Sequence, residues 1–215
     1  MNVGVLFTGG KDSVFALHCA LLNGFSVKCL LIMRSKNPNS WMFHTPGMEI
    51  ADAYQELTGI PVLIKETEGI KEKELDDLKE LLKTAKERYN LYGVYTGAIL
   101  SDYQRMRINQ VCNDLGLVVF SPLWRKDQRT YMKELKRFGF DWIIISTAAD
   151  KMDHAVGKQL DAPDGVSPAF EGGEAETIVL NAPLYKKRLK VEMEVEKQDE
   201  YTQIGKVVDY AIEEL

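Results

Sequence analysis

The sequence predicts an α/β fold: a doubly wound, parallel five-stranded sheet over residues 1–122, then a smaller α+β domain over residues 123–215. Three observations carry this. Strand-like and helix-like stretches alternate from residue 2 to residue 121. The strand-like stretches are near-continuous apolar runs with many β-branched residues, the pattern of strands covered on both faces. A glycine-rich turn, Thr8-Gly-Gly-Lys-Asp-Ser13, separates the first apolar run from the first helical stretch. Such a turn is an anion site.

The strands are expected at 2–7, 26–33, 60–65, 92–96 and 117–121, with helices near 13–23, 47–58, 71–89 and 101–115. Gly24, Gly59 and Gly116 stand where helices should stop. A phosphate turn after the first strand suits the order 3-2-1-4-5, with the ligand at the carboxyl ends of strands one and four. The helix at 71–89 is heavily charged, yet Leu75, Leu78, Leu82 and Ala85 keep an apolar stripe, so it reads as a solvated outer helix. Beyond Pro122 the sequence predicts a helix at 127–137 and a sixth strand at 142–146. Residues 150–175 carry little periodicity, and irregular stretches of that length are usually functional. Lys190 to Glu196 alternates like a strand. Residues 205–215 fit both periods, and a strand antiparallel to 190–196 is the expectation.

Composition narrows the class. With 45% hydrophobic and 27% charged residues, the 215-residue chain is an ordinary globular one. Its longest apolar runs are strand-sized, so no membrane span is expected. The N-terminus lacks a secretory pattern, and Cys19, Cys29 and Cys112 are widely spaced in apolar contexts. Both point to a cytoplasmic protein with reduced thiols. The net charge of −5 argues against a nucleic-acid surface. Oligomeric state is not legible.

The turn itself is diagnostic. Three Gly-Lys pairs occur, at 10–11, 157–158 and 205–206, and none is followed by Ser or Thr, which excludes a Walker A loop. No G-x-G-x-x-G occurs, which excludes the dinucleotide fingerprint. The turn instead resembles the S-G-G-x-D-S loop of the PP-loop ATP pyrophosphatases, with Thr8 in place of the first serine. That resemblance implies an adenine nucleotide alpha hydrolase-like fold and ATP cleaved between its α- and β-phosphates. A loop that grips the β,γ-pyrophosphate stabilises the leaving group and exposes the α-phosphorus.

Four further stretches narrow the resemblance: Trp41-Met-Phe-His-Thr45, Gly97-Ala-Ile-Leu-Ser-Asp-Tyr-Gln-Arg-Met-Arg107, Phe120-Ser-Pro-Leu-Trp-Arg-Lys-Asp-Gln128 and Glu171-Gly-Gly-Glu-Ala-Glu-Thr177. Together they are similar to the diphthine–ammonia ligases, from the first strand to about Arg188. Thr8 and Ala175, where an aromatic residue is common, are departures. The resemblance implies amidation of the diphthine carboxylate on elongation factor 2 by ammonium, through an acyl-adenylate.

The resemblance also implies roles. Thr8, Gly9, Gly10, Asp12 and Ser13 would hold the β,γ-phosphates. Lys11 would either neutralise pyrophosphate or point to solvent. Gly97, Ala98 and Ile99 would border the adenine or ribose. Mg2+ would be held mainly by ATP oxygens and water, with Asp12 as its protein ligand. Arg105 and Arg107 offer charge for phosphate or the diphthine carboxylate, or Arg107 pairs with Asp102 or Asp114. Tyr103 and Gln104 would shape the pocket or cap the helix. Glu171, Glu174 and Glu176 would either bind the trimethylammonium of diphthine or take a proton from ammonium, unless they form a solvated acidic loop. Trp41 and Tyr103 would add cation–π contact, and His44, Gly172, Gly173 and Thr177 complete the substrate side. The competing readings are a tRNA-thiolating enzyme, which needs a reactive cysteine, and a non-catalytic nucleotide-binding module.

Overall fold

A computed structural model describes residues 1–37 and 48–215. Its parallel sheet contains β1 (Asn2–Leu6), β2 (Ser26–Ser35), β3 (Val62–Thr67), β4 (Gly93–Tyr95) and β5 (Val118–Phe120), paired in the order β3-β2-β1-β4-β5. This is the order expected of the sequence. The connecting helices are α1 (Lys11–Leu22), α2 (Tyr54–Thr58), α3 (Glu74–Tyr89) and α4 (Asp102–Asp114). Cys29, Leu31 and Met33 of β2 pack with Leu78, Leu82 and Ala85 of α3 and with Ile108 and Cys112 of α4. The apolar stripe read along α3 is therefore its buried face.

Two elements start differently from expectation. The helix expected over 47–58 is, in its described part, a 3-10 helix (Met48–Ala53) leading into the short α2. The helix expected from residue 71 begins at Glu74, because Glu72 has a left-handed backbone (φ 67°) that no α-helix accommodates.

The second sheet is antiparallel, with β6 (Asp141–Ala148), β7 (Ala175–Asn181), β8 (Lys187–Lys197) and β9 (Thr202–Glu214) in the order β7-β6-β9-β8. The terminal strand is antiparallel to β8 as expected. β7 was not expected, since residues up to 175 read as irregular and the run Thr177-Ile-Val-Leu180 after them was not assigned. Residues 149–174 do lack a named element. Helix α5 (Gln128–Arg137) is capped by Asp127, whose side chain accepts from the Thr130 amide at 2.8 Å. Its Tyr131 and Leu135 are fully buried, as are Trp142 and Ile144 of β6 and Val179 of β7.

The chain divides into two compact units. One holds residues 1–8, 12–37 and 60–124; the other holds 9–11, 48–59 and 125–215. The middle of the glycine-rich turn thus belongs with the unit that carries the antiparallel sheet. Among the described residues, no helix is long and apolar enough to cross a membrane.

Candidate active site

The turn joins the end of β1 to the first residue of α1, so the positive end of a twelve-residue helix faces whatever the turn holds. Within the first unit, the turn is closed by its own hydroxyls. The Thr8 amide donates to Ser13 Oγ at 3.1 Å, and the two hydroxyl oxygens also lie 3.1 Å apart. Thr8 therefore supplies the hydroxyl expected of the family's serine.

Gly97 belongs to the same unit, just beyond β4. A Cβ there would lie 2.7 Å from the Asp12 carbonyl carbon and 2.8 Å from the Ser13 amide nitrogen. Backbone meets backbone, so only glycine lets the β4 loop reach the start of α1. This brings Gly97 beside Asp12 and Ser13, at the switch point between β1 and β4.

Further along, Ser101 caps α4 by accepting from the Gln104 amide at 3.3 Å. Arg105 lies 4.6 Å from the centre of the Trp124 ring, and its buried Nε has no hydrogen-bond partner among the described residues. Arg107 stacks on Tyr103 at 3.6 Å and donates from Nε to Glu72 at 3.0 Å. Its carboxylate partner is thus Glu72, not Asp102 or Asp114; Asp114 is bound by Lys79. The hydrogen bond to Glu72 holds the Arg107 guanidinium above its ordinary pKa and, reciprocally, holds the Glu72 carboxyl below its own. Tyr103 also points its hydroxyl at Glu72. Arg105 and Arg107, two residues apart, therefore make different contacts: Arg105 meets Trp124, and Arg107 meets Tyr103 and Glu72.

Within the second unit, Gly9 is left-handed (φ 79°), and a Cβ on it would lie 1.7 Å from the Tyr54 hydroxyl oxygen. The Gly9 carbonyl accepts from the Val179 amide at 2.9 Å. The Lys11 amide donates to Thr177 Oγ1 at 3.2 Å. Two residues of β7 therefore hold the turn. Thr177, expected on the substrate side, accepts this bond from the glycine-rich turn. Lys11 is only 2% exposed, with Nζ 5.8 Å from the centre of the Phe170 ring. The structure removes the solvent-facing alternative for this lysine.

The motif from Glu171 to Thr177 has internal architecture. Glu174 accepts from the Ser167 amide, the Ser167 hydroxyl and the Gly172 amide at 3.1, 3.0 and 2.6 Å. Burial alone would raise its carboxyl pKa, but these donors together leave it below the ordinary value. Glu174 is thus a committed acceptor that braces residues 167–174. Gly173 turns the chain with φ 77°. Glu171 donates its amide to Ser167 Oγ at 2.6 Å, and Glu176 lies on β7 opposite Ser146. Both are partly exposed. Trp41 and His44 lie outside the described residues.

Residues that the sequence reading passed over include Tyr54, Trp124, Ser167 and Phe170. Trp124 lies in the stretch Phe120–Gln128; the others carry no signal that spacing alone exposes.

The family model described as the diphthamide synthase N-terminal domain matches residues 1–119, and the one described as the C-terminal domain matches residues 127–210. The chain belongs to the diphthamide synthase family. It is 33% identical over 222 residues to a diphthine–ammonia ligase of Rattus norvegicus, covering 89% of this chain and 83% of that protein. To the Danio rerio diphthine–ammonia ligase it is 33% identical over 237 residues, covering 95% and 93%. A Schizosaccharomyces pombe relative of the same name shares 34% identity, with 88% of this chain covering 36% of that protein. As a member of this family the chain is a ligase that forms a carbon–nitrogen bond.

Proposed function

We propose that this protein amidates the carboxylate of diphthine, the modified histidine of elongation factor 2, with ammonium and ATP. The observation that carries the reading is the turn 8–13: left-handed at Gly9, closed by the Thr8 and Ser13 hydroxyls, and set at the start of α1 beside Gly97. It suits an anionic leaving group at the switch point of a parallel sheet.

In this reading Thr8, Gly9, Gly10, Asp12 and Ser13 hold the β,γ-phosphates, and the Lys11 ammonium neutralises their charge. Gly97 to Ile99 border the nucleoside. A diphthine carboxylate oxygen attacks the α-phosphorus, the α–β phosphoanhydride bond breaks, and pyrophosphate leaves. Ammonia then attacks the acyl carbon of the adenylate and AMP departs with the bonding electrons. Arg105, over the Trp124 ring, offers guanidinium donors to the carboxylate or the α-phosphate. The carboxylates of Glu171 and Glu176 are assigned in this reading to bind the substrate ammonium or to deprotonate the attacking one.

Among the described residues no cluster of three metal-ligating side chains occurs. In this reading a Mg2+ ion would be held by ATP oxygens and water with Asp12 as protein ligand, and it would supply charge neutralisation at the phosphates.

Two cysteines bear on the thiolation alternative. Burial pushes Cys29 up to about 12, with Arg88 opposing only weakly, and burial pushes Cys112 up to about 12. Neither offers a thiolate at neutral pH.

The test incubates the purified protein with ATP, Mg2+, ammonium and elongation factor 2 carrying diphthine. AMP, pyrophosphate and an amide in place of the acid are expected. ADP as product, or turnover with glutamine but not ammonium, would overturn the reading.

A further inference from the structure

We propose that Phe170 is a positioning residue whose ring seats the ammonium of Lys11, and that the brace around Glu174 exists to present that ring. This rests on the reading of turn 8–13 as the ATP site and deepens it.

The starting observation is backbone strain. Phe170 has φ 63°, a conformation that a bulky non-glycine residue rarely adopts and that persists only where surrounding contacts impose it. Those contacts are present. The Phe170 amide donates to the Ser167 carbonyl at 2.9 Å, and the Ala169 amide donates to Gln128 Oε1 at 2.9 Å. On the other side the Glu171 amide is tied to Ser167 Oγ, and Ser167 is tied through amide and hydroxyl to Glu174. The residue is therefore fixed from before and after.

The strain delivers the ring to one place. Phe170 is 4% exposed and meets the fully buried Trp142 edge-on, at 6.2 Å between centroids and 70° between planes. The Lys11 Nζ lies 5.8 Å from the Phe170 centroid, inside the distance at which an ammonium is attracted by a ring face. At 2% exposure the lysine has lost most of its hydration, which strengthens that attraction. The backbone of Lys11 is meanwhile pinned by Thr177. Main chain and side-chain tip are thus held from the same stretch of chain, residues 170–177. An ammonium held in advance binds phosphate without first being ordered.

The experiment places phenylalanines of increasing ring fluorination at position 170 of the full-length protein, alongside Phe170→Leu. Fluorine withdraws charge from the ring face and leaves the packing shape nearly unchanged. The readouts are the Kd for ATP, the KM for ATP and for ammonium, and the thermal midpoint. The expected result is a Kd for ATP that rises stepwise with fluorination, reaching about three- to thirty-fold. The KM for ammonium should stay level through the fluorinated series, and the thermal midpoint should fall only by what the weakened ring contact removes, far less than in Phe170→Leu. A flat Kd across that series, with loss confined to Phe170→Leu and matched by a lower midpoint, would show Phe170 to be packing alone and overturn the proposal. A wild-type protein that binds ATP but makes no AMP sinks the proposed reaction and leaves the Kd series decisive. Failure to bind ATP at all sinks both.

Discussion

The backbone amide of Lys11 donates to the hydroxyl of Thr177, so a strand of the antiparallel sheet fixes the first residue of the helix that follows the phosphate turn. The partner bond from Val179 to the Gly9 carbonyl lies two residues further along the same strand. The shape of the glycine-rich turn therefore depends on the end of the Glu171–Thr177 motif and on the strand that continues it.

Thr177→Val keeps the size and branching of the side chain but leaves the Lys11 amide without its buried acceptor. A loss of about 1–3 kcal/mol in unfolding free energy is expected, together with weaker ATP binding. Thr177→Ser should restore most of both. Urea titration and ATP calorimetry measure the two effects, and a valine variant with wild-type nucleotide affinity would contradict the assignment.

Gly97→Ala places a methyl group against backbone atoms of Asp12 and Ser13, which have no side-chain freedom to yield. Displacement of the α1 start should destabilise the protein by about 1–3 kcal/mol and raise the KM for ATP more than it lowers kcat. Steady-state kinetics at varied ATP, with ammonium saturating, decides this.

Glu174→Gln cannot accept from all three of its present donors, because one amide edge is itself a donor. A loss of about 1 kcal/mol is expected at neutral pH, given a site open to solvent on one side. The folded carboxyl titrates below its ordinary 4.5, so its contribution is present above that value and fades as the pH falls through the lower, folded one. The stability gap between wild type and variant should close on acidification over that range. A gap independent of pH would mean that the carboxylate form is not what holds the loop.

His18 gives a second pH effect of separable origin. It is 5% exposed on α1; burial lowers its pKa, and the contact of Nδ1 with the Val14 carbonyl at 2.8 Å opposes that only in part. Its neutral form is therefore the stabilising one. Stability should fall as the pH drops below 6.5, the ordinary value, towards the folded one. Denaturant midpoints taken across that range should lose this slope in His18→Leu.

Much of the parallel unit was legible because its central strands, β1, β2 and β4, carry buried apolar runs and its punctuation is local. An apolar run, a glycine turn and a capped helix can each be recognised within a dozen residues. β7 was hidden for the opposite reason. Its first three residues, Ala175, Glu176 and Thr177, finish a polar motif whose chemistry drew the eye, and only Thr177 to Leu180 speak for a strand. The surroundings of Lys11 were illegible in principle, since Phe170 and Thr177 are distant in sequence and nothing in their spacing links them. Arg107 shows a milder failure. Its helix offered Asp102 and Asp114 as partners, but the left-handed turn at Glu72 brings a carboxylate from before α3 that helical spacing does not count.

The bond between Lys11 and Thr177 spans 166 positions, and this sets an order of events during translation. The glycine turn leaves the ribosome well ahead of its bracing strand, whose Thr177 is made 166 residues after Lys11. A nascent chain interrupted before residue 175 carries the glycine turn but lacks the Thr177 and Val179 bonds that brace it. Truncated products should consequently bind ATP more weakly than the finished protein.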